Sequence, residues 1–205
     1  MFLLAGCWQS HEALVRAPRV EPPAASARHS GRLWLELEPL TQDRQCVVPD
    51  AASNPAAPGA ELAGDDLTQA TRPVCFGGIH DAVVSALKGA LWASYPEVDV
   101  RGRTDELRPG DYLLLLDLKL DVAPPSADGP GWSAGVYGSW RLVRDGLPVR
   151  NGKLSERSPA ELAYGRQLSL GAEVALRSAV VEIADAVSVA PEQAMPPSLP
   201  TVASR

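Results

Sequence analysis

The chain has 205 residues, 45% hydrophobic and 21% charged, which is the composition of an ordinary globular protein of one domain with tails. Its net charge of −6 argues against a nucleic-acid binder, whose electrostatic footprint would be basic. No run of about 18 apolar residues occurs, so no segment reads as a membrane-spanning helix.

The N-terminal stretch ends in Leu4-Ala5-Gly6-Cys7, which resembles a bacterial lipobox. In a lipobox an apolar residue and two small ones precede a cysteine that is acylated and becomes the mature N-terminus. The peptidase groove admits only small side chains beside the cut, and a thiol is needed to accept the diacylglyceryl group. Only six residues precede Cys7, whereas a signal peptide has a basic n-region and an apolar core of about 7–15 residues. Residues 1–7 therefore read as the residual end of a lipoprotein signal whose start codon lies upstream; the alternative is an accidental match in a cytoplasmic protein.

The three cysteines are an odd number, which in an exported chain asks for an explanation. If Cys7 carries lipid, Cys46 and Cys75 remain as an even pair, expected to be bonded in an oxidising periplasm. Two buried free thiols are the alternative.

Residues 8–31 contain three prolines, scattered charge and no sustained periodicity, and read as a flexible tether. A half-buried strand follows at Arg32–Glu38, with Leu33, Leu35 and Leu37 on one face. Residues 41–73, rich in Pro, Ala, Asp and Gly, read as a long insertion. Ile79, Val83, Leu87 and Leu91, with Ala82, Ala86 and Ala90, then define an amphipathic helix over about 78–95, stopped by Pro96.

A short strand is expected at 98–101. Residues 111–122, "DYLLLLDLKLDV", are the strongest strand signal in the chain. Tyr112, Leu114, Leu116, Leu118, Leu120 and Val122 form one apolar face, and the other face passes from leucine to charge. The next strand carries Trp132, Tyr137 and Trp140 and reaches the hairpin dipeptide Asp145-Gly146, with a partner strand over about 147–156 in which Pro148 suits an edge. Ser158-Pro159-Ala160-Glu161 has the hydroxyl, proline and glutamate of a capping box and predicts the start of a closing helix, with Gly165 and Gly171 able to delay its first turns. Residues 190–205 read as a disordered tail. The order of elements predicts an α+β fold: a two-layer sandwich of a mainly antiparallel sheet, about four to five strands, with two helices on one face over residues 32–189.

Groups that converge for catalysis are scarce. Ser85 and Lys88 match the S-x-x-K pattern, but no S-D-N or K-T-G element follows, so they read as the polar face of a helix. His80 beside Asp81 reads as a solvent-exposed histidine, since neighbours one apart on a helix point in different directions. No metal or cofactor motif is present. Trp132 and Trp140 lie on one face of their strand and Tyr137 on the other; they read either as core or as an apolar patch that docks a partner or a lipid chain.

The lipobox, the Pro/Ala tether, "LWLELEP", the helix leading into "YPEVDV", "DYLLLLDLKLDV", "GSWRLVRDG" and the closing helix together resemble the auxiliary lipoproteins of ABC-type envelope lipid transporters (PqiC-like). In topology the chain is also similar to the LPS-assembly lipoproteins (LptE-like). The resemblance spans about residues 31–189 and each of its motifs is a generic element. The 41–73 insertion and the two extra cysteines depart from both patterns, so no partner residues carry over. The resemblance implies a non-catalytic protein, lipid-anchored at the periplasmic face of the outer membrane, that belongs to an envelope protein complex assisting lipid or lipopolysaccharide traffic. Trp8 fits that address, because an Asp directly after the lipidated cysteine is the inner-membrane retention signal. Two rival readings stand beside it: an envelope hydrolase built on Ser85 and Lys88 or on His80, and a periplasmic lipid-binding domain.

Overall fold

The computed structural model describes residues 10–24, 27–38, 43–48, 73–102, 105–125, 131–165 and 167–189. Among them lie strands β1 His11–Leu14, β2 Leu33–Leu37, β3 Arg44–Val47 and β4 Val74–Gly77, helix α1 Ile79–Leu91, strands β5 Val98–Val100, β6 Tyr112–Ala123, β7 Ser133–Arg144 and β8 Leu147–Arg157, and helix α2 Gln167–Ser188. The strands form a five-stranded sheet in the order β5-β2-β6-β7-β8 and a three-stranded sheet in the order β1-β4-β3. The fold is α+β as expected, with both helices packed on one face of the large sheet.

The alternation in β6 sets the core. Tyr112, Leu114, Leu116, Leu118, Leu120 and Val122 are all buried, and across the antiparallel ladder Ala134, Val136, Trp140 and Leu142 of β7 join them. The i, i+3, i+4 faces of α1 (Ile79, Val83, Leu87, Leu91) and α2 (Leu168, Leu176, Val180, Ile183, Val187) cover this surface. Full burial of one such aliphatic side chain contributes roughly 1.5–3 kcal/mol.

The β7–β8 hairpin turns at Asp145 (φ 51°) and Gly146 (φ 77°). Two successive positive φ values define the turn whose twist matches the flanking strands, and Asp-Gly supplies them at low cost. Pro148 lies on β8, which is an edge strand. On the other side β2 pairs parallel with both β5 and β6, so the large sheet is mixed, although its longest ladders are antiparallel.

Three expectations change. Residues 8–31 were expected to be a tether, yet β1 begins at His11 and pairs parallel with β4, and Ala13, Val15 and Val20 are buried in the core. Part of the expected 41–73 insertion is also ordered, since Arg44–Val47 forms β3, antiparallel to β4. The capping box at Ser158 does not open a helix. Ser158 Oγ accepts the Ala134 N–H (3.1 Å), and Trp132 and Leu162 exchange two backbone hydrogen bonds (2.8 and 3.0 Å). This added pairing beside β7 wins over the cap, and α2 starts only at Gln167, after Gly165 at φ 96°.

Candidate functional site

The structure separates the three aromatics singled out by sequence. Trp132 and Trp140 are each 5% exposed and belong to the core, Trp132 against the Tyr164 ring with centroids 4.6 Å apart. Trp140 also contributes to the lining of a groove at the sheet's edge. Trp140 lies over Gly152 of β8, where an added Cβ would come within 2.6 Å of the indole nitrogen. Tyr137 faces the opposite side of the sheet and is 44% exposed.

That outer face of β6, β7 and β8 is polar. It holds a groove of about 400 Å³ whose lining includes Glu38, Asp117, Arg141 and Lys153, two acids and two bases, with Asn151 and Leu115 between them. Asp117 Oδ1 is buried there without a hydrogen-bond partner among the described residues. The mixed charge gives the groove no net preference for one sign of ligand.

The two candidate catalytic pairs have other employment. Ser85 is exposed, and the Lys88 ammonium donates to Asp99 Oδ1 at 2.9 Å, which holds the Asp99 carboxyl below its ordinary range. The Lys88 head group is thus engaged by Asp99, and no bond joins it to Ser85 among the described residues. His80 does meet Asp81, with Nδ1 3.1 Å from Oδ1, contrary to the expectation that neighbours on a helix point apart. Rotation of the two side chains closes the gap at the helix start, and both remain at the surface, Asp81 90% exposed. Among the described residues no group of three or more His, Cys, Asp or Glu side chains is arranged to hold a metal ion.

Cys46 and Cys75 stand directly opposite one another in the β3–β4 ladder and are bonded, with Cα atoms 3.9 Å apart. Cys75 is buried and Cys46 is exposed. Beside them, Gln45 closes the seam between the two sheets. Its side-chain amide donates to Leu118 O (3.3 Å) and accepts from Leu120 N (2.9 Å). A side-chain amide thus takes up β6 peptide groups just beyond the last residue of β6 paired with β2, Leu116. Cys7 lies outside the described residues.

Where the two helix C-termini meet the sheet, His29 stacks on Tyr95 (4.5 Å, 15° between planes) and meets Tyr112 edge-on. Burial depresses the His29 pKa, hydrogen bonding to the Ser188 and Val187 backbone opposes the shift, and the charges of Arg144 and Arg150 reinforce it. Burial raises the Tyr95 hydroxyl far above its ordinary value; that hydroxyl donates to Val187 O at 2.8 Å. Asp111, before β6, is buried in part, which raises its pKa, but bonds from Trp34 Nε1 and from the Arg108 and Arg32 amides outweigh that effect and leave it lowered.

Sequence reasoning missed a second groove, of about 600 Å³, between β1 and the start of α2. Its trace in the sequence is slight: Leu170, an apolar residue on the side of α2 away from the core, lines it, and Val174 one turn on is also exposed. They are 58% and 49% exposed.

The fold defines a class, a mixed α+β domain with a long antiparallel hairpin backed by two helices. A solved structure of that class, the protein XCC0632 from Xanthomonas campestris, described under the family model DUF330, superposes on this chain with a TM-score of 0.57 at 15% identity, covering 86% of this chain and 94% of the other. The likeness is one of fold. No family model matches the chain, and no curated protein matches its sequence.

Proposed function

We propose that this protein is a non-catalytic lipoprotein of the outer membrane, facing the periplasm, that serves as an auxiliary or scaffold in envelope lipid or lipopolysaccharide transport. The observation that carries the reading is the cysteine inventory. Of three cysteines, Cys46 and Cys75 are bonded to each other, which leaves Cys7, at the end of Leu4-Ala5-Gly6-Cys7, as the one outside that bond. Disulfides persist in oxidising compartments and are rare in the cytosol, and the remaining cysteine stands where a lipobox would be acylated.

Two further observations favour a scaffold over the rival readings. Lys88 is engaged by Asp99 and makes no bond to Ser85 among the described residues. Among the described residues, the enclosed apolar cavity between Val15, Ile79, Val83, Leu118 and Leu176 is about 10 Å³, room for a water at most and too little for an acyl chain.

The structure also alters how such an anchor would act. Only three residues lie between Cys7 and His11, and over those four steps an extended chain, at about 3.3–3.6 Å per residue, spans at most roughly 13–14 Å. An acyl group on Cys7 would hold the domain against the bilayer with β1 nearest to it, in place of the long leash the sequence suggested.

Metabolic labelling with a fatty-acid analogue, using the gene with its upstream region, tests the anchor. Label is expected on the wild type and absent from Cys7→Ala; label independent of Cys7 removes the lipoprotein reading. Ser85→Ala and Lys88→Ala variants that stay folded and functional in the envelope separate the scaffold from the hydrolase, whose activity both would abolish.

A further inference from the structure

β1 is the outer strand of the three-stranded sheet and is bonded on one side only. In its ladder with β4, His11 N donates to Pro73 O and Val15 N to Gly77 O, both at 3.0 Å. The odd-numbered residues therefore turn their peptide groups to β4, and Glu12 and Leu14 turn theirs, an N–H and a C=O each, to the opposite side. No hydrogen bond reaches those four groups among the described residues. The next outward N–H, that of Arg16, donates to Glu173 Oε1 at 3.0 Å and closes the open stretch.

The open edge forms one wall of the 600 Å³ groove, and α2 forms the other through Gln167, Leu170 and Glu173. Apolar surface is available on both sides: Leu14 is 65% exposed and Leu170 58%. The other free edges are protected or short. β8 carries Pro148, Arg150, Lys153 and Arg157, the kind of residues that deter pairing, β5 is three residues long, and β3, the other outer strand of the small sheet, carries Arg44 and is tied to β6 through Gln45. β1, with the sequence His-Glu-Ala-Leu, has neither proline nor lysine nor arginine.

We infer that the groove between β1 and α2 binds an extended polypeptide segment of a partner protein, added as a strand to the open edge of β1, with an apolar side chain between Leu14 and Leu170 and a basic one against Glu173. The repeat of unpaired N–H and C=O groups two residues apart is matched by a β-strand and by no lipid chain. Charge sets the position of the basic side chain rather than an overall sign: Glu12 is paired with Arg44, the second oxygen of Glu173 has no partner among the described residues, and Arg16, which also lines the groove, supplies a cation beside it. The inference does not depend on lipidation or on the compartment.

Short random peptides displayed on phage, selected on the purified protein, provide the probe. Selected peptides should be enriched in alternating apolar and basic residues and should slow hydrogen exchange at the Glu12 and Leu14 amides. Leu14→Pro removes one outward N–H and leaves the ladder to β4 intact, so it should weaken binding at least about tenfold. Glu173→Lys should reverse the charge preference without disturbing the strand, which keeps a readout in hand should the proline variant misfold. Failure to select peptides, or peptides that bind both variants as they bind wild type, overturns the inference. Binding of phosphatidylglycerol vesicles through Leu14 and Leu170 with no peptide binding overturns it as well.

Discussion

Opening the Cys46–Cys75 bond should lower the unfolding free energy by about 3–4 kcal/mol. The bond joins residues 29 apart, and the chain-entropy relation for a loop of that length gives an entropy near −12 cal/mol/K, or about 3.6 kcal/mol at 25 °C. Little is lost in the folded state, because the β3–β4 backbone pairs remain and the Cys75 side chain keeps its buried place. The effect therefore acts on the unfolded chain, which becomes less compact. For a domain of this size each kcal/mol moves Tm by about 2–4 °C, so reduction should lower Tm by roughly 7–14 °C. Urea unfolding of oxidised and dithiothreitol-reduced protein, followed by tryptophan fluorescence, measures the difference, with Cys46→Ala/Cys75→Ala as a control that lacks the pair. The reduced form should also show the larger m-value, since its unfolded state exposes more surface. A loss below about 1 kcal/mol with an unchanged m-value would refute the unfolded-state account.

Three other perturbations test the rest of the frame. Gln45→Ala removes both bonds to β6 and should cost about 1–3 kcal/mol, with faster hydrogen exchange at the Leu120 amide as its local signature. Gly138→Ala should be destabilising by more than about 2 kcal/mol in chemical denaturation: its φ is 154° and an added Cβ would lie 1.9 Å from Asp117 O. His29, whose pKa is depressed below 6.5, contributes stability that is fully present above pH 6.5 and is lost as pH falls toward its folded pKa. Unfolding free energies measured from neutral to mildly acid pH should thus fall in the wild type and stay flatter in His29→Phe, which keeps the ring on Tyr95 and removes the titration.

What the sequence revealed depended on whether one segment carried its own signal. β6 could be read because six alternate positions are apolar over a single run, and the Asp145-Gly146 turn because two residues suffice to define it. β1 could not: "HEAL" has no periodicity, and its order comes from parallel pairing with β4, some 60 residues away. The same holds for the seam at Gln45, where one side-chain amide acts as a piece of backbone. The false helix start at Ser158 has the opposite origin. A sound local signal was overruled by backbone bonds between Trp132 and Leu162 that no local rule anticipates. For the candidate site, the disulfide was legible from counting cysteines, whereas the β1–α2 groove was not, because an open strand edge is a property of topology.

The disulfide has one more consequence, for how this protein can be altered. Val47, the last residue of β3, and Val74, the first of β4, are register partners beside the bonded Cys46 and Cys75, so the two ends of the intervening sequence are held together. Because the two ends are pinned to each other by a covalent bond, a change in the length of the sequence 49–72 leaves the register of β3 against β4 unaltered, and an affinity tag or other foreign sequence inserted there should not shift that ladder.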